Sequence, residues 1–80
     1  MDKKVTIYSK EICYYCTMAK KYLDKQGVDY KVVNVSKHPE EMEKMIKATG
    51  YKGVPQLEIG EEWVVGYNPK QIMKKLKSIE

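Results

Sequence analysis

The feature that most constrains this chain is a pair of cysteines, Cys13 and Cys16, in a sequence of only 80 residues. There is no further cysteine, whereas a small secreted protein held together by disulfides normally carries four or more, dispersed along the chain. Eighty residues make one small domain with a thin core, which excludes a large enzyme with a separate substrate domain. A lone C-x-x-C in such a chain indicates redox or metal chemistry.

The charge pattern argues against nucleic acid as a partner. All fifteen positive side chains are Lys, which are interleaved with acids to a net charge of +4, and the bidentate Arg fork that reads bases is missing. The longest apolar run, Ile12 to Cys16, is too short for a membrane span or a signal peptide. We therefore expect a cytoplasmic protein that binds neither nucleic acid nor membranes, with a mild attraction for anionic small molecules or acidic proteins.

Hydrophobic periodicity predicts the order β-α-β-α-β-β-α over a single domain, residues 1–80. The predicted strands span residues 4–9, 28–35, 56–59 and 62–65, and the predicted helices span about 14–26, 39–49 and 69 onward, the last with Ile72, Leu76 and Ile79 facing inward. A strand–helix–strand start implies a parallel pair, and the closing hairpin must be antiparallel. The expected fold is therefore α/β, a mixed four-stranded sheet with three helices on its two faces.

On this scaffold Cys13 ends the loop after the first strand and begins the first helix. Unpaired N–H groups and the positive end of the helix dipole there favour a thiolate. Lys10 adds positive charge, and Glu11 opposes it. Because Cys16 lies one turn later on the inner side, Cys13 is predicted to attack a substrate disulfide and Cys16 to resolve the mixed disulfide.

Metal binding is the alternative from another class. A structural zinc needs four ligands, and this chain offers two cysteines and one histidine, His38. Small copper carriers also place C-x-x-C between a first strand and a first helix, but their order is βαββαβ, whereas residues 39–49 have helical spacing here. A cysteine-ligated iron–sulfur cluster shared between two chains remains open.

A second candidate part of the site is Gly53-Val54-Pro55, ahead of the third strand. A residue before proline is held extended. If the Val54–Pro55 bond is cis, the N–H and C=O of Val54 face outward beside the cysteines, where an extended thiol peptide can pair with them. If it is trans, Pro55 only begins a strand.

Three segments keep the spacing of a known family: Lys10-x-x-Cys13-Tyr14-Tyr15-Cys16, then Thr49-Gly50-x-x-Gly53-Val54-Pro55-Gln56, then Gly66 before a helix N-cap. Over essentially its whole length the chain resembles the glutaredoxins. The resemblance implies the thioredoxin fold, a cis Pro55, and reduction of protein disulfides or glutathione mixed disulfides with glutathione as the electron donor. It also implies a monomer that needs no metal.

The same resemblance implies a glutathione-binding surface. Its predicted members are Lys10, Tyr15, Val54, Pro55, Gly66, Tyr67 and Asn68. In that arrangement the Val54 backbone pairs with the cysteinyl part of glutathione, and Lys10 meets its glycine carboxylate. The N-terminus of the last helix, capped by Asn68, attracts the γ-glutamyl carboxylate.

Some positions depart from the glutaredoxin pattern. Tyr14 replaces the Pro of the usual Cys-Pro-Tyr-Cys, Gly53 replaces a Thr, and Val65 replaces the first Gly of a Gly-Gly pair. Met42 stands where many members place a Gln or Arg contact. Trp63 and the Gly66-Tyr67-Asn68-Pro69 segment also resemble the NrdH redoxins, which take electrons from thioredoxin reductase and pass them to ribonucleotide reductase. A strand aromatic that only covers the sheet explains Trp63 equally well.

Overall fold

A computed structural model describes residues 5–78, which form seven elements in the predicted order. The strands are β1 (Val5–Ser9), β2 (Lys31–Asn34), β3 (Gln56–Ile59) and β4 (Glu62–Val65). The helices are α1 (Tyr14–Lys25), α2 (Pro39–Thr49) and α3 (Pro69–Ser78). Two predicted positions, the strand start at Lys4 and the inward-facing Ile79, lie outside the described residues. Within residues 5–78 no helix is both long and apolar enough to cross a membrane.

The four strands form one sheet in the order β2-β1-β3-β4. The β1–β2 pair is parallel, and β3 runs antiparallel to both β1 and β4. This is the mixed sheet that the element order predicts, with α1 as the crossover between the parallel strands. The ends of β1 and β3 that bound the site lie side by side, since Tyr8 pairs with Gln56.

Side chains that alternate along the strands build a core on each face of the sheet. Ile7 of β1 belongs to the cluster that packs with α1 and α3, whereas its neighbour Tyr8 belongs to the cluster that packs with Met45 of α2. Helices therefore cover both faces, as expected. The inward positions Ile72 and Leu76 of α3 are both buried.

The second strand is shorter than predicted, because Val28, its predicted first residue, belongs to the C-terminal cap of α1. Gly27, with φ of 70°, donates its N–H to the Asp24 carbonyl, and the Val28 N–H donates to the Leu23 carbonyl. These two bonds are a Schellman cap, with Val28 packed against the core that contains Leu23. The prediction that the strand begins at residue 28 is therefore wrong; β2 begins at Lys31.

The other helix ends are as the sequence predicts. Pro39 occupies the first turn of α2, and Gly50 closes that helix with a left-handed φ of 79°. At α3, the Oδ1 atom of Asn68 accepts a hydrogen bond from the Gln71 N–H at 3.3 Å. This cap fixes the start of α3 next to the segment that joins it to β4.

Candidate active site

The two cysteines form a disulfide at the start of α1. Cys13 is the N-cap in extended conformation, and its Sγ accepts a hydrogen bond from the Cys16 N–H at 3.2 Å. Cys13 is partly exposed, whereas only 1% of Cys16 is accessible. An incoming sulfur therefore reaches Cys13 first. The first turn of α1 carries no acidic side chain that would oppose negative charge on that sulfur.

The backbone of Val54 lies directly beside the outer sulfur. The Val54–Pro55 bond is cis, as the resemblance implies. The Val54 carbonyl oxygen is 3.9 Å from the Sγ of Cys13. Because a disulfide sulfur carries no proton, this is a contact in the oxidised protein; a reduced Cys13 has an S–H to donate there.

A third segment, between β4 and α3, packs against the first two. The Gly66 N–H donates to the Pro55 carbonyl at 2.8 Å, and Gly66 has the left-handed φ of 82° that favours glycine. The next residue, Tyr67, stacks its ring on that of Tyr15, with centroids 6.5 Å apart and planes 25° apart. These contacts bring three distant segments of the predicted site together around Cys13.

Lys10, which is also a predicted site residue, takes no part in these contacts. Its side chain is exposed and forms no ion pair or hydrogen bond within residues 5–78. Its neighbour Glu11 pairs with Lys37, with Nζ and Oε1 3.1 Å apart. The Glu11 charge is thus partly offset, which weakens the opposition to a Cys13 thiolate that the sequence suggests.

Gln56 supports the site and is not among the predicted site residues. Its side chain is fully buried, and its Nε2 donates to the carbonyls of Tyr51 and Gly53, each at 2.9 Å. The Oε1 atom is buried without a hydrogen-bond partner. The amide thus ties down the loop that leads into Val54. A polar residue directly after Pro55, at the start of a strand whose neighbouring position is Leu57, is the signal that could have revealed it.

Trp63 covers the sheet on the α2 face. Its ring centroid lies 5.0 Å from that of Tyr8, within the cluster that contains Met45. Met42 packs against the same cluster. The Trp63 contact agrees with the interpretation that this aromatic covers the sheet, and Met42 makes an apolar contact where many glutaredoxins place a Gln or Arg.

A polar cluster lies behind this aromatic pair. The buried Tyr8 hydroxyl donates to Oε1 of Glu58 at 3.2 Å, and the Lys44 ammonium lies 3.5 Å from the same oxygen. Burial, and then the negative charge of Glu58, raises the pKa of Tyr8 above its usual 10.0. Hydrogen bonding to Tyr8, followed by the charges of Tyr8 and Glu58, raises the pKa of Lys44.

Within residues 5–78 no three His, Cys, Asp or Glu side chains cluster as a metal site would require. His38 precedes α2, and its Nδ1 lies 3.6 Å from Oε1 of Glu40. It makes no recorded contact with the cysteines.

Comparison with known proteins gives a consistent result. The model of the family described as Glutaredoxin matches residues 5–64. A glutaredoxin-like protein NrdH of Lactococcus lactis is 31% identical over 70 residues, which cover 88% of this chain and 96% of the relative. A glutaredoxin of Neisseria meningitidis is 41% identical over 64 residues, covering 79% of this chain and 75% of the relative.

The fold agrees with these matches. The solved structure of the glutaredoxin-like NrdH-redoxin from Escherichia coli, reported with a thioredoxin-like activity profile, superposes with a TM-score of 0.78 at 27% identity. The match covers 88% of this chain and 91% of that one. The expected thioredoxin-like fold is therefore confirmed.

Proposed function

The chain belongs to the glutaredoxin family, and on that premise we propose that it is a dithiol thiol–disulfide oxidoreductase that takes electrons from glutathione. Its substrates are protein disulfides and glutathione mixed disulfides. One observation supports this most: a partly exposed Cys13 sulfur at the start of α1 is paired with a buried Cys16 and lies 3.9 Å from the Val54 carbonyl.

In the proposed reaction, the Cys13 thiolate attacks a substrate disulfide, forms a mixed disulfide and expels one substrate thiolate. The Cys16 thiolate then attacks the Cys13 sulfur, which releases the second substrate thiol and forms the Cys13–Cys16 disulfide. Two glutathione molecules return the pair to dithiols and become glutathione disulfide. Each cycle therefore moves two electrons from glutathione to the substrate.

Several features support glutathione as the donor. Lys10 is exposed and forms no ion pair within the described part of the chain, so it is free to meet a carboxylate. The first turn of α3 carries no acidic residue, and its N–H groups begin after Asn68, which suits a second carboxylate. In this proposal the Val54 backbone pairs with the cysteinyl part. Tyr15 and Tyr67 flank it, and Pro55 and Gly66 hold the two loops together.

Thioredoxin reductase as donor and ribonucleotide reductase as acceptor form a second candidate. The relatives named NrdH favour it, because the Lactococcus protein matches along nearly its whole length. The Escherichia coli NrdH-redoxin structure, with its thioredoxin-like activity profile, favours it too. Either donor works where thiols are kept reduced, so we place the protein in the cytoplasm.

Two coupled assays with one disulfide substrate separate the candidates. The first supplies NADPH, glutathione reductase and glutathione; the second supplies NADPH and thioredoxin reductase. The proposal predicts efficient turnover in the first assay. Turnover in the second assay alone would support the NrdH-like function instead. Turnover in neither assay would contradict both candidate functions.

A further inference from the structure

Three tyrosine rings form a continuous row beside Cys13, which we call the aromatic row: Tyr14, Tyr15 and Tyr67. The rings of Tyr14 and Tyr15 meet edge to face with centroids 5.2 Å apart, and Tyr15 stacks on Tyr67. Tyr14 is 69% exposed and Tyr15 is 59% exposed. The row therefore presents apolar ring surface to solvent next to the reactive sulfur.

The apolar exposure is concentrated at this point of the molecule. Of the six large hydrophobic side chains that are exposed in residues 5–78, three lie within two positions of Cys13: Ile12, Tyr14 and Tyr15. Ile12, on the other side of the cysteine, is 90% exposed. The core does not need these side chains, because other residues fill both of its clusters. A concentration of exposed apolar surface marks a binding surface.

The aromatic row lies next to Cys13, so a substrate protein that reacts with Cys13 covers it. During transfer the substrate sulfur must come within about 2 Å of the Cys13 sulfur. The substrate segment that carries this cysteine then lies beside the neighbours of Cys13. With the substrate backbone beside Val54, the side chains two positions before and after the substrate cysteine project to the same side as its sulfur, toward the rings.

From this placement we propose that the aromatic row selects substrate proteins that carry an apolar or aromatic residue two positions from the reactive cysteine. The inference rests on the proposed function, because it assumes that Cys13 is the sulfur attacked in exchange. Contact between an aromatic ring and such a side chain corresponds to a preference of about 3- to 10-fold in kcat/KM.

The test uses two peptide disulfides that differ only in the residues two positions before and after the cysteine, Phe in one and Ser in the other. The quantity measured is the ratio of their kcat/KM values, Phe over Ser, for each protein variant. A ratio within one variant cancels any change in the intrinsic reactivity of the Cys13–Cys16 pair. Wild type is expected to give about 3 to 10, Tyr14→Phe a similar ratio, and Tyr14→Ser a ratio near 1.

Val32→Ser is the matched control, since Val32 is also an exposed apolar residue but lies on the edge strand β2. It should keep the wild-type ratio. A wild-type ratio near 1, or an unchanged ratio in Tyr14→Ser, overturns the inference while the proposed function stands. If wild type reduces neither peptide, the proposed function fails and the inference fails with it. Tyr14 is exposed, so circular dichroism should show an unchanged fold.

Discussion

The Sγ of Cys13 and the carbonyl oxygen of Val54 lie 3.9 Å apart, although 41 positions separate the two residues in the chain. The contact exists because a short loop leads from the end of β1 into the start of α1, and β3 begins beside the end of β1. A third segment joins them through the hydrogen bond from Gly66 to Pro55. The candidate site is thus a property of the sheet order, and changes in any of the three segments should alter it.

Lys10→Ala should raise KM for a glutathione mixed disulfide while kcat changes little. The expected cost is about 0.5–1 kcal/mol, a roughly two- to fivefold rise, because an exposed ion pair in water is weak. Steady-state kinetics with glutathione reductase coupling measures it. Lys21→Ala, an exposed lysine on α1, is the control. Equal KM values for wild type and Lys10→Ala would remove Lys10 from the glutathione-binding surface.

Gln56→Met keeps the side-chain volume but removes two hydrogen bonds to the loop before Val54. Each bond contributes about 0.5–1.5 kcal/mol, partly offset because the unpaired Oε1 is removed as well. We expect a higher KM for disulfide substrates and a melting temperature lower by about 4–8 °C per kcal/mol lost. Gln71→Met on the exposed side of α3 should change neither. A variant with unaltered KM would show that the Val54 loop holds its position without Gln56.

Gly27 and Gly53 provide a matched pair for the backbone. A Cβ added at either glycine meets nothing within 4 Å, but only Gly27 has a positive φ, of 70°. Gly27→Ala should therefore destabilise the protein by about 1–2 kcal/mol. Gly53→Ala should stabilise it by about 0.4–1 kcal/mol, because it restricts the unfolded chain. Urea unfolding measures both, and effects of the same sign would contradict this explanation.

The observed β2 begins later than predicted because of the cap at the end of α1, in which Gly27 takes part. Helix starts that depend on one or two residues, such as Pro39 in the first turn of α2 and the Asn68 cap of α3, could be predicted from the sequence. The Schellman cap could be predicted only in part. Gly27 indicates the end of α1. The hydrogen bond from the Val28 N–H to the Leu23 carbonyl could not be predicted, because Val28 begins a run of strand-forming residues. Val28 belongs to the cap and not to the strand, because it packs against the core cluster that contains Leu23 of α1.

The site shows a similar division. The difference in exposure between Cys13 and Cys16 follows from local spacing, because Cys13 stands at a helix start and Cys16 lies one turn later on the buried face. The contact between Tyr15 and Tyr67 depends on how distant segments approach each other. The hydrogen bonds from Gln56 to Tyr51 and Gly53 depend on the conformation of the loop before β3. No periodicity in the sequence encodes those approaches.

Tyr8→Phe should reduce the loss of folding stability that occurs as pH rises above about 10. The folded pKa of Tyr8 lies above its usual 10.0, mainly because of burial. The unfolded chain therefore loses this proton first, and the associated stability is present below about pH 10 and lost as pH rises through the folded pKa. The raised pKa of Lys44 acts in the same direction.

Urea unfolding from pH 8 to 11 measures the effect. At pH 8 the variant should be less stable by about 1 kcal/mol, since the hydrogen bond to Glu58 is lost. Above pH 10 the difference should shrink. A constant difference across the range would show that Tyr8 titrates alike in the folded and unfolded chains.

The most direct test of Cys13 as the attacking sulfur compares Cys13→Ser with Cys16→Ser on a glutathionylated peptide, by turnover and by mass spectrometry. We expect no turnover in Cys13→Ser. Cys16→Ser should keep its turnover, because glutathione itself can attack the Cys13 adduct, and a trapped glutathione should be found on Cys13. Equal loss of activity in both variants, or an adduct on Cys16 of the other variant, would contradict the assignment of Cys13 as the attacking sulfur.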